Sequence, residues 1–219
     1  MLLLLLAACG KSERAAAPRA DTTLVPADSN DARPAIVFLG TSLTAGLGVD
    51  PSQAYPALIQ QKIDAAGLSY RVVNAGVSGE TSSDARTRIA WLLRMNPAVL
   101  VVETGANDGL RGLSVAALRA NLDTILATAE RHEPRPRLVV IGMEAPPNLG
   151  RRYADAFREV FPEEAKGHGA RLVPFLLKAV GGVDTLNQAD GIHPTPAGHR
   201  ILAETVWEVL RGEIDTKAQ

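Results

Sequence analysis

The chain has 219 residues, 46% of them hydrophobic, and Lys+Arg 23 against Asp+Glu 24 leaves a formal net charge of −1. That balance suits one α/β domain of ordinary size and excludes a basic nucleic-acid-binding surface. Aromatic residues, at 4%, are too few for a stacking platform; no apolar run reaches the about 18 residues of a membrane-spanning helix, and one cysteine excludes an internal disulfide framework.

The N-terminus reads MLLLLLAACGKSE. Leu2 to Leu6 form an apolar block, followed by Ala7, Ala8 and Cys9, with no basic residue before Leu2. Leu-Ala-Ala-Cys resembles the end of a bacterial lipoprotein signal peptide, cleaved ahead of a lipidated cysteine. The resemblance implies a lipid anchor to membrane at Cys9. Gly10 and Lys11, not Asp, follow the cysteine, which implies the periplasmic face of the outer membrane; without lipidation the expected location is the periplasm. Residues 10–33 are rich in Ala, Asp, Ser and Pro with almost no apolar pattern, so a flexible linker is expected. As a coil it would span roughly 25–30 Å. The folded domain is then residues 34–219.

From Pro34 the pattern alternates. AIVFLG (35–40), YRVVNAG (70–76), AVLVVETG (98–105) and RLVVIGM (137–143) are short, β-rich apolar runs, and ARLVPF (170–175) is a weaker fifth. The third is nearly continuous, as for a strand buried on both faces. Between them Ala85, Ile89, Leu92 and Leu93 mark one helix. Val115, Leu118, Leu122, Ile125 and Ala129 mark another, with Ser114 as its N-cap. A last helix starts at Pro196 with Thr195 as N-cap. Strands alternating with helices predict a parallel sheet covered on both faces, its ligand crevice outside the carboxyl ends of the strands.

The residues after those strands carry chemistry. Ser42 follows the first, Gly79 the second, Asn107 and Asp108 the third. Asp190 and His193 lie in the longer connection after the fifth. A nucleophile, a base, an orienter and donors for an oxyanion are what acyl transfer requires. Taken singly, each residue has a plainer use. Ser42 could cap a helix, Thr44 enter one, Gly79 serve a turn, and Asn107 an Asx cap. A phosphate loop does not fit the opening glycines, since no Lys lies between Ala35 and Gln61.

GTSLTAG, NAGVSGETS, GANDGLRG and DGIHP, in this order, resemble the four blocks of the SGNH, or GDSL-type, hydrolases. NDGLRG and APPNLGRRY are similar to the bacterial arylesterase, thioesterase I and lysophospholipase branch. The resemblance spans about residues 35–211. It implies a three-layer α/β/α sandwich with a five-stranded parallel flavodoxin-like sheet, no metal and no organic cofactor. Ser42 is then the nucleophile, His193 the base and Asp190 its orienter. The oxyanion would be held by the N–H groups of Ser42 and Gly79 and the amide of Asn107, with Asp108 as loop scaffolding. The family's usual Gly-Asp-Ser-Leu reads Gly40-Thr41-Ser42-Leu43 here, a change expected to act on support of the turn.

The activity implied is hydrolysis of a small-molecule ester, thioester or lysophospholipid through an acyl-serine. The alternatives are a carbohydrate O-deacetylase, against which the few aromatics argue, and an idle acyl-binding envelope lipoprotein, against which the intact residue set argues. His132, His168 and His199 fit no block and read as surface or helix residues.

Overall fold

A computed structural model describes residues 31–214. The lipid-anchor reading at Cys9 and most of the expected linker lie outside the described residues.

The five apolar runs are strands: β1 (Ala35–Gly40), β2 (Arg71–Gly76), β3 (Val99–Glu103), β4 (Arg137–Ile141) and β5 (Arg171–Val173). They form one parallel sheet in the order β2-β1-β3-β4-β5. β1 and β3 are buried along their whole length, which explains why both read as continuous apolar runs instead of alternating ones. Pairing of Ile36 with Val99 and Val37 with Leu100 sets β1 and β3 in register at the centre of the sheet.

Seven helices lie around it among the described residues: α1 (Ser42–Ala45), α2 (Tyr55–Ala65), α3 (Ser82–Leu93), α4 (Ala106–Leu110), α5 (Val115–Glu130), α6 (Arg151–Gly167) and α7 (Pro196–Ile214). On one side α3 packs on α5 and α5 on α6; on the other α2 packs on α7. The result is the expected α/β/α sandwich. β1 leads outward to β2, and the chain then crosses back to β3, so the direction of winding reverses between β1 and β3. Such a switch point opens a crevice at the carboxyl edge.

Local signals account for most boundaries. Ser114 Oγ accepts from Ala117 N at 3.3 Å, capping α5, whose stripe of Leu118, Leu122, Ile125, Leu126 and Ala129 is buried. Thr81 and Asp84 form a reciprocal capping box at the start of α3. The sequence reading did not anticipate α2 or α6. Each carries a proline, Pro56 near the start of α2 and Pro162 inside α6, and α6 buries only Phe157, Val160, Phe161 and Ala165 among many charged residues. Both nevertheless present a helical stripe to the core, Tyr55, Ile59 and Ile63 in α2 and Phe157, Val160, Phe161 and Ala165 in α6.

Candidate active site

β1 ends at Gly40, and the chain turns at once into α1, a helix of 4 residues beginning at Ser42. A side chain at residue 40 has no room there: a Cβ would lie 2.0 Å from Thr44 Oγ1 and 2.9 Å from Glu103 Oε2. The turn thus presents Ser42 at the carboxyl edge of the sheet. Ser42 N–H, at the first helical position, has no partner among the described residues.

The DGIHP loop comes to this serine from the far end of the chain. His193 Nε2 lies 3.0 Å from Ser42 Oγ, and His193 Nδ1 lies 2.6 Å from Asp190 Oδ2. A carboxylate only accepts, so Nδ1 carries the proton and Nε2 presents its lone pair to the serine hydroxyl. Asp190 Oδ1 also accepts from the N–H groups of Ile192 at 2.9 Å and His193 at 3.0 Å. The hydrogen bond from the His193 ring, then those backbone donors, hold the Asp190 carboxyl well below the usual carboxylate range. Asp190 is therefore an anion at neutral pH, although it is half-exposed.

Residues outside the quoted blocks hold this loop. Asn187 pairs with Pro194 in an antiparallel bridge, and Asn187 Nδ2 donates to Val180 O at 2.6 Å and Val183 O at 2.9 Å. Gln188 Nε2 donates to Leu47 O at 2.7 Å, just beyond α1, and to Pro194 O at 3.0 Å. Gln188 thereby ties the histidine loop to the serine turn. No local sequence signal points to it.

The second and third blocks are cross-linked to each other. Gly79 sits at φ +82°, a conformation glycine adopts without strain, and its N–H has no partner among the described residues. Its carbonyl accepts from Arg111 Nη2 at 2.9 Å. Asn107 Nδ2 donates to Glu80 O at 2.9 Å, and its second N–H has no partner among the described residues. Asp108 is buried and accepts from Ser82 N at 2.8 Å and Ser82 Oγ at 2.6 Å, the scaffolding expected of it. Glu80, raised by burial but opposed by Arg88, forms a two-pronged pair with that guanidinium at 2.5 and 2.6 Å. Arg88 Nη2 also donates to Gly40 O at 3.2 Å, and Val77 N to the same oxygen at 2.8 Å. The Gly79 loop is thus fastened both to the serine turn and to the Asn107 helix.

Two residues lie in helices, as the sequence reading allowed, but have buried partners it did not foresee. Thr44 does more than enter a helix: it is buried, with Oγ1 2.7 Å from Tyr55 Oη and 2.9 Å from Glu103 Oε2. His199 is in a helix but not at the surface. It is 1% exposed, stacks on Tyr55 and accepts from Tyr55 N at 3.3 Å through Nδ1. Burial, with His193 nearby, lowers its pKa to about 4, so it is neutral. Glu103 and Tyr55 were not singled out by the sequence; the acid closing the apolar run VLVVE is the signal that could have found Glu103.

Among the described residues Asp123, Glu164 and His168 form a group whose ligand-type atoms lie within 4.8 Å of one another. They belong to α5, α6 and the cap of α6, apart from the four blocks. There His168 pairs with Glu130 at 2.9 Å and Asp123 at 3.1 Å.

A serine on the carboxyl edge of a parallel sheet, met by a histidine–aspartate pair from another loop, is the constellation of a serine hydrolase. The profile of the GDSL-like Lipase/Acylhydrolase family matches residues 38–201, and the chain belongs to that family. It is 42% identical over 177 residues to "Esterase TesA" of Pseudomonas aeruginosa, covering 80% of this chain and 87% of that protein. It is 36% identical over 177 residues to "Thioesterase 1/protease 1/lysophospholipase L1" of Escherichia coli K12, covering 80% and 83%. A solved structure described as "Crystal Structure of TesA" superposes with a TM-score of 0.78 at 41% identity, over 82% of this chain and 99% of that one. The protein is an enzyme that hydrolyses carboxylic esters or thioesters.

Proposed function

We propose that Ser42, His193 and Asp190 are the catalytic residues and that the enzyme works through an acyl-serine. The observation that carries this is the unbroken line from Ser42 Oγ through His193 to Asp190, at 3.0 and 2.6 Å. His193 takes the proton as Ser42 Oγ attacks the carbonyl carbon, and Asp190 stabilises the imidazolium. The oxygen that becomes negative is held by the unpaired N–H groups of Ser42 and Gly79 and the free N–H of the Asn107 amide. His193 returns the proton to the departing alcohol or thiol. Water, deprotonated by His193, then releases the acid from Ser42.

The substrates in this reading are acyl esters, acyl thioesters and lysophospholipids. The similarity to the Pseudomonas esterase and to the Escherichia thioesterase and lysophospholipase supports this range. Cys9 carries a lipid anchor that holds the enzyme at the periplasmic face of the outer membrane, a reading supported by the LAAC segment and by Gly10 and Lys11 after it. Three acyl chains would be needed for firm retention, since one binds only marginally.

Initial rates on p-nitrophenyl esters of C2 to C12 acids, with Ser42→Ala as control, test the activity. Turnover across several chain lengths, lost in Ser42→Ala, is expected. Acetyl-only turnover would indicate a deacetylase, and none in pure protein an acyl-binding protein. Mass spectrometry of the N-terminal peptide from membranes tests the anchor: an unmodified Met1 on native protein refutes it.

A further inference from the structure

The steps above leave three buried carboxylates unused among the described residues, Glu80, Asp108 and Glu103, and the last of these faces the turn that carries Ser42. Glu103 closes β3 and is 1% exposed, and no cationic side chain among the described residues pairs with it. Its partners are all donors from the nucleophile turn. Thr41 N donates to Oε2 at 2.7 Å, and Thr41 Oγ1 lies 2.9 and 3.0 Å from Oε1 and Oε2. Thr44 Oγ1 donates to Oε2 at 2.9 Å. Its one proton being used there, Thr44 Oγ1 accepts the Tyr55 hydroxyl, 2.7 Å away.

These donors flank Ser42. Thr41 N–H is tied to Glu103, and Thr41 O accepts from Ala45 N at 2.9 Å. With both ends of Thr41 held, the peptide joining it to Ser42 has one orientation, and so has the Ser42 N–H. Burying a carboxylate away from cations is costly, and glutamine has the same shape. Glutamine, however, leaves a single acceptor oxygen for the Thr41 N–H and the Thr41 and Thr44 hydroxyls, three donors that the carboxylate can share between two oxygens. Burial pushes the Glu103 carboxyl up, and the Thr41 and Thr44 donors pull it back toward the ionised form.

We propose that Glu103 is a positioning residue for the reaction: by gathering the Thr41 and Thr44 donors beneath the turn, it aims the Ser42 N–H at the developing oxyanion. The proposal rests on Ser42 being the nucleophile, and Ser42→Ala tests that separately. Thr41, where the family usually has Asp, then supplies a hydroxyl donor to Glu103 without adding a second charge.

The test uses the full chain with a p-nitrophenyl ester, rates being expressed per active site titrated by acyl burst. Glu103→Gln should lower kcat about ten- to a hundredfold, as small misplacement at a site does, with KM within about twofold. Inhibition by an alkylboronic acid, whose tetrahedral adduct on Ser42 puts an anionic oxygen in the same place, should weaken by a matching factor. Thr44→Ser, which keeps the hydroxyl, should retain kcat, whereas the isosteric Thr44→Val should lose it. Wild-type kcat in folded Glu103→Gln, or a loss confined to KM, overturns the proposal. If Glu103→Gln does not fold, the Thr44 pair decides: equal kcat in Thr44→Ser and Thr44→Val is the refuting result. Activity surviving in Ser42→Ala would instead remove the reading on which this rests.

Discussion

His193 Nε2 stands 3.0 Å from Ser42 Oγ although 151 positions of chain separate the two. The contact is made by two loops on one sheet edge, joined through Gln188 to Leu47 O. If Ser42 is the nucleophile, Ser42→Ala leaves the fold intact and removes nearly all ester hydrolysis. A variant keeping more than about a tenth of wild-type kcat would contradict the assignment, since loss of a nucleophile costs many decades. His193→Ala should cost nearly as much, and the double variant little more, because the two act as a unit.

Asn107 and Asp108 are neighbours with different work. Asn107→Ala should lower kcat by about 10²–10³ at nearly constant KM, the usual loss for one oxyanion donor. A pure KM effect would make Asn107 a substrate-binding residue instead. Asp108→Ala strands the Ser82 N–H and hydroxyl in a buried place, and should cost about 2–4 kcal/mol of stability in denaturant titrations. Unchanged stability would show that the loop finds other partners.

Thr41→Asp would set a second carboxylate against Glu103, which burial already raises. Two such groups share a proton, and the shared proton is held above its unfolded-state pKa. The contribution is then full below the unfolded value, about pH 4, and is lost as pH rises through the raised folded one. The melting temperature of Thr41→Asp should match wild type near about pH 4 and fall below it toward about pH 8. A constant difference across that range would mean the new carboxyl points away from Glu103.

Two histidines should bend the pH–stability curve in opposite senses. Burial alone would lower His168, but hydrogen bonds with Glu130 and Asp123 outweigh it and raise its pKa. Its contribution is full below about pH 6.5, the unfolded value, and disappears as pH rises through the folded one. His199, lowered to about 4 by burial, acts the other way: between about 6.5 and 4 the unfolded chain takes a proton that the folded one refuses, so stability drops with pH. His168→Gln should therefore lose stability mainly on the acidic side of neutrality. His199→Gln should flatten the decline toward pH 4. Equal melting-point losses for His168→Gln at about pH 5 and pH 9 would show that its charge is irrelevant.

The sheet was legible because its signals are local. β1 and β3 are apolar along their length since both faces are covered, and Ser114 and Thr195 stand where helix starts need acceptors. α2 and α6 were missed although their stripes, Tyr55, Ile59 and Ile63 and Phe157, Val160, Phe161 and Ala165, have helical spacing, because each segment also carries a proline, Pro56 and Pro162.

The site divides in the same way. Ser42, Gly79, Asn107, Asp190 and His193 each sit in a short motif at a strand end or in the last loop, and the four motifs together, in their order along the chain, singled them out as candidates where no one motif did. The residues that hold them could be found only in three dimensions. Glu103 meets Thr41 across 62 positions, Gln188 meets Leu47 across 141, and Tyr55 meets His199 across 144. Pairings of that kind leave no trace in a local pattern, because they depend on strand order, register and the direction in which each turn leaves the sheet. The sequence by itself determined which groups are the candidates for the chemistry; only the tertiary structure decided what holds them, since a buried carboxylate or imidazole finds its donors only after the sheet has brought distant turns to one edge.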